Sequence, residues 1–145
     1  MILVEAMQQY LDDFLVDLGR DEWVNIDWLT SEAVSFSISP VPLENGGIVG
    51  QDVVGNLTKR FAVMFSVVFE YSADLAKNIE NSAFFEELDK YIKNNNKNNV
   101  LPQLSDDRVP LQVRITQTPY LYVVPEDNQS AQYVTTVELT YKERV

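Results

Sequence analysis

Adjacent carboxylates are the side chains best equipped for chemistry in this 145-residue chain, as at Asp12–Asp13, Asp21–Glu22, Glu86–Glu87 and Asp106–Asp107. Paired carboxylates can divide acid and base roles between them, or share a hard cation. Neither use follows from the spacing here, because no EF-hand loop with its central glycine is present. Adjacent acids on helix surfaces and turns are ordinarily solvated, so these pairs are expected to be surface charge. Histidine and cysteine are absent. That removes Ser-His and Cys-His nucleophile pairs, the usual zinc ligands and all disulfides. The segment "GQDVVGNL" (50–57) has the two glycines of a phosphate loop, Gly50 and Gly55. Asn56 and Leu57 stand where such a loop needs Lys and then Ser or Thr, and a strand rather than a helix follows. The expectation is therefore a protein that is not an enzyme and holds neither cofactor nor metal.

Apolar periodicity indicates the elements that would carry any site. Residues 3–18 form an amphipathic helix on Leu3, Met7, Leu11, Phe14, Leu15 and Leu18, with Gly19 as its C-cap. "WVNIDW" (23–28) suits a short strand, with Trp23 and Trp28 as core residues or surface anchors. "AVSFSIS" (33–39) alternates as a strand that Pro40 and Pro42 should end. Residues 40–56 hold two prolines and four glycines, which predicts a long irregular loop of the kind that often carries function. On that loop Ile48, Val49, Val53 and Val54 need something apolar to pack against. "LTKRFAVMFSVVFEY" (57–71) is apolar on both faces at its middle and reads as a central strand. Asp74–Asn94 reads as a helix with a break near Asn81 and Ser82, and "KNNNKNN" (93–99) as its frayed end and a linker. Two further strands, 111–118 and 132–142, flank a polar turn at 125–130, with Tyr133, Thr135, Val137, Leu139 and Tyr141 on one face. Strands joined by turns, with two striped helices to bury, predict one α+β domain over 1–145. Its antiparallel β-sheet would carry both helices on one face as a two-layer sandwich.

The composition is 46% hydrophobic and 11% aromatic, enough for a packed core. No apolar run is long enough to span a bilayer, and the N-terminal residues lack the basic region of a secretory signal. An intracellular protein is expected. Eleven basic residues face 22 acidic ones, a formal net charge of −11. That balance disfavours binding to nucleic acid or anionic membranes.

Three stretches resemble the tail terminator proteins of long-tailed bacteriophages, often labelled minor capsid proteins. They are the opening helix "VEAMQQYLDDFL" (4–15), the helix "SADLAKNIENSAFFEELDKYI" (72–92) and the ribbon "LQVRITQTPYLYVVPEDNQSAQYVTTVELTY" (111–141). The ribbon, with I-T-x-T-P-Y on one strand and Y-x-x-x-V-x-L-T-Y on the next, is the most specific of these. The resemblance implies a structural protein of the virion that forms a ring, typically of six copies, on the finished end of the tail tube. Its partners would be other copies of itself, the tail-tube protein and the head–tail connector protein, at the head–tail junction. DNA would pass without specific binding, and no membrane would be involved. Candidate interface residues are Ile48, Val49, Val53 and Val54 in the loop and Pro119, Tyr120 and Tyr122 on the ribbon. Another head–tail joining component, such as a stopper or tail completion protein, is the nearest alternative. An acidic inhibitor or immunity-type protein is the alternative from a different class.

Overall fold

A computed structural model of the chain describes residues 2–27, 34–70, 75–123 and 130–145. Trp28, Tyr71, Asp74 and most of the 125–130 turn lie outside them. Helix α1 spans Leu3–Asp17 and buries Met7, Tyr10, Leu11, Phe14 and Leu15 on one side. It ends as its sequence predicts. Gly19 takes φ 75°, its N–H donates to Val16, and the N–H of Arg20 donates to Leu15. This closes the last turn with a left-handed glycine.

The strands are β1 (Val24–Ile26), β2 (Ser35–Val41), β3 (Ile48–Gln51), β4 (Leu57–Glu70), β5 (Arg108–Val123) and β6 (Ser130–Glu143). They form one sheet in the order β1-β2-β4-β6-β5, with β3 also paired to β4. Among the described residues only β1 and β2 run parallel, and the other pairs are antiparallel. Phe36, Ile38, Val63, Phe65, Val67, Val137, Leu139 and Tyr141 face the helices and join their buried stripes in one core. The architecture is the expected α+β fold.

Phe84, on helix α2 (Leu75–Lys97), is the hub of that core. Its ring lies 5.1–5.6 Å from those of Phe14, Phe36, Phe69 and Phe85. The Arg20 guanidinium covers the end of the cluster, 5.2–5.7 Å from Phe36, Phe69 and Phe84. Cations favour the negative faces of aromatic rings.

Three local expectations are corrected. Helix α2 runs unbroken through Asn81 and Ser82, because Asn81 is buried and the Phe84, Phe85, Leu88 and Ile92 stripe packs the whole length down. Packing outweighs the weaker helix propensity of Asn and Ser. The 93–99 run is helical as far as Lys97, and Asn95 is buried within it. Residues 40–56 are largely regular: β2 continues through Pro40, a 3-10 turn covers Glu44–Gly47, and β3 pairs with β4. Pro40 lies past the stretch of β2 that β1 pairs, Phe36 to Ile38, so its missing N–H costs no described bond to β1. Gly47 has φ 82°, and a Cβ there would strike the carbonyl oxygen of Arg60. Only glycine lets this turn lie against β4.

Candidate interaction surfaces

A sheet edge is a row of unpaired backbone groups, and each outer strand is clamped at one residue in the same way. On β1, Gln8 Nε2 donates to the Val24 carbonyl at 2.9 Å, and the Val24 N–H donates to Asp12 Oδ1 at 2.8 Å. The two side chains stand one helical turn apart on α1. On β5, Asn96 Nδ2 donates to the Val113 carbonyl at 2.6 Å, and the Val113 N–H donates to Asn96 Oδ1 at 3.0 Å. A helix side chain thus stands in for a neighbouring strand at each margin. Asp12, half of an acidic pair, is a backbone clamp.

The other three pairs named above are equally occupied or solvated. Glu22 pairs with Arg20, Glu87 pairs with Lys90, and Ser105 donates to Asp107 at 2.7 Å, holding that carboxyl below its ordinary range. Burial, and then Asp12 and Asp17, push the Asp13 carboxyl up. Among the described residues no three acidic side chains gather where an ion would sit. No described helix is long and apolar enough to cross a membrane.

Beyond Asn96 the margin of β5 changes character. Register shifts fall between Ile115 and Gln117 and again between Gln117 and Tyr120, around Pro119. Such bulges bend a strand and re-aim its side chains. Tyr120 opposes Val134 on the face away from the helices, and Tyr122 stands edge-on to it with ring centroids 6.4 Å apart. Both are exposed, Tyr122 at 57%, as is Leu121; Pro119 is half-buried. Between this stretch and α2 lies an open groove of about 790 Å³. Phe85, Ile115, Leu121 and Tyr133 supply its apolar lining, and Ser82, Glu86, Asp89, Lys90 and Thr118 lie on its polar rim.

The second surface is the tip between β3 and β4. Val53 is fully exposed at 105% and Val54 is 74% exposed. They sit on a turn organised by one carboxylate. The N–H groups of Val54, Gly55 and Asn56 each donate to Asp52 Oδ1 at 3.0 Å, and Asn56 Nδ2 donates to Oδ2 at 2.9 Å. Lys142 Nζ adds an ion pair at 3.2 Å. These donors, Asn56 first, hold the Asp52 carboxyl down at about 2. Asn56 Oδ1 in turn accepts the N–H of Val145 at 2.9 Å. Val49 is exposed on β3 and Ile48 is half-buried there, so the four loop candidates divide into three accessible valines and one packing residue.

The expected site residues therefore form two separate surfaces. Asp52 and Asn96, which sequence reasoning passed over, set the shape of one and the limit of the other. Asp52 had a local signal, an Asp three residues before a Gly, which is a common turn signature. Asn96 had none, being one of five asparagines among seven residues. No family model matches the chain, and no characterised protein is similar to it in sequence.

Proposed function

We propose that this protein is a structural component of a bacteriophage virion, a tail terminator acting at the head–tail junction. Copies assemble into a ring on the finished end of the tail tube, the ring stops tube growth, and its outer surface receives the head connector. One observation carries this reading. The sheet is sealed at Val24 and Val113, while the apolar stretch Pro119–Tyr122 beside the groove is left uncovered. Tyrosines left exposed beside an apolar groove, on a strand whose backbone is clamped nearby, support an interface there, a setting in which Tyr is enriched. The motif resemblance in the ribbon supports the particular role. The net −11 suits a wall past which DNA slides without binding.

The same charge favours one other reading, an acidic inhibitor of a basic partner. The test is mass by light scattering, alone and with the cognate tail-tube protein, followed by negative-stain imaging. Rings, or tubes that acquire a cap and stop growing, are expected. Tubes that grow unchecked beside a monomer would refute the terminator role in favour of another connector component. Indifference to the connector as well would leave the inhibitor.

A further inference from the structure

The two surfaces are complementary, and they cannot meet within one chain. Leu57, at the β3–β4 tip, pairs with Glu143; Val67 pairs with Tyr133, beside the groove. Ten residue steps along a strand separate the two positions, about 33 Å at ~3.3 Å per residue. The tip and the groove thus lie at opposite ends of one hydrogen-bonded sheet. The tip is a convex, apolar knob already fixed by Asp52, so little conformational freedom remains to be lost on docking. The groove is concave and apolar.

Charge matches as well. Lys59, Arg60, Arg108, Arg114, Lys142 and Arg144, six of the eleven basic residues, lie toward the tip end of the sheet. Glu44, Asp52, Asp106, Asp107, Glu138 and Glu143 accompany them, so the net negative charge resides elsewhere. Most of these cations are held by Asp52, Glu138 or Glu143. Arg144, next to Val145 and hence to Asn56, is exposed and makes no ion pair among the described residues. At the groove, Glu86 is likewise exposed and unpaired among them.

We propose that the Val53–Val54 tip of one copy docks into the α2–β5 groove of a second copy, with Arg144 of the first facing Glu86 of the second. Resting on the assembly reading above, this names the contact that builds the ring. A contact between different surfaces on each copy is heterologous. It closes into a ring when the rotation per subunit allows, and otherwise continues as a filament. An open row of copies therefore always presents one free tip and one free groove, at its two ends, until closure.

The chain has no cysteine, so engineered thiols report cleanly. Val54→Cys and Thr118→Cys are made separately, and each is oxidised alone and mixed one to one at about 1 mM, where even a millimolar contact is substantially populated. The mixture should yield disulfide-linked pairs at least tenfold more than either variant alone, with mass spectrometry locating the bond between residues 54 and 118. Glu86→Arg should lower the yield tenfold, and combining it with Arg144→Glu in the mating copy should restore it. Equal yields from the single variants and the mixture, or no cross-link at that concentration, would overturn the contact. Imaging the uncross-linked protein on tubes separates the two claims. Capped tubes without the 54–118 bond sink the contact alone, whereas the bond with uncapped tubes sinks the terminator role alone.

Discussion

Asn96→Ala tests how the sheet margin is sealed. The substitution deletes two hydrogen bonds to Val113, of 2.6 and 3.0 Å, in a partly buried setting. Each is worth about 1 kcal/mol net, since the freed groups would otherwise be paired with water. Alanine returns roughly 0.5 kcal/mol of helix propensity on α2. The expected loss is about 1.5 kcal/mol, or about 5 °C in Tm for a chain of this size. Asn98→Ala is the control. Its side chain lies on the exposed surface and bonds Asn94 one turn away, so the change should stay within about 0.5 kcal/mol. Thermal melts give the magnitudes, and amide exchange at Val113 gives the location. In the Asn96 variant that amide should exchange faster than its neighbours on β6, and the newly opened margin should raise concentration-dependent association. If the two variants melted together and Val113 kept its protection, the clamp would be an accident of geometry and the reasoning would fail.

The β3–β4 tip has an acid limit. The Asp52 carboxyl titrates at about 2 in the folded chain, below its ordinary 3.8. Its stabilising contribution is therefore complete above about pH 4 and is lost as pH falls through 2. Amide shifts of Val54, Gly55 and Asn56 followed by NMR should hold through pH 4 and move only near 2; movement at 4 would contradict the hydrogen-bond assignment. Gly47→Ala combines a left-handed φ with a collision against the Arg60 carbonyl, whereas Gly46 has φ 62° and open space around it. Denaturant melts should show a loss of about 2 kcal/mol or more for Gly47→Ala and roughly 1 kcal/mol for Gly46→Ala. Equal losses would mean that packing on β4 contributes nothing.

Where side-chain alternation and helical spacing carry the information, as in α1, β4 and β6, the elements follow directly from residue type. The core face of β6, Val137, Leu139 and Tyr141, is the one its period of two assigns, and Gly19 ends α1 as a left-handed residue must. The misreadings share one cause. In 40–56 the prolines and glycines suggest an irregular loop, yet β3 exists because β4 offers it a partner and Gly47 permits the approach. In 93–99 the asparagines suggest a linker, yet Asn96 is ordered by Val113, seventeen positions later in the chain. Both are tertiary effects that no local window contains. The candidate surfaces divide similarly. The exposed valines of the tip were legible as apolar residues without a periodic role, and Tyr120 and Tyr122 as aromatics beside a turn. The groove was not, because its floor comes from α2, β5 and β6 together.

The last strand in chain order, β6, lies between β4 and β5. During synthesis β4 can pair with β2 and β3 almost at once, but its other flank must wait for β6, about 60 residues later. At roughly 5–20 residues per second that wait is about 3–12 s. Throughout it, a strand bearing Phe61, Val63, Phe65 and Val67 is open along one side, and β5, once made, has no strand to pair with. The chain's greatest exposure to misassembly is therefore set by the pace of the ribosome, and a holdase that covers the open flank of β4 until β6 emerges is the form of assistance this topology asks for.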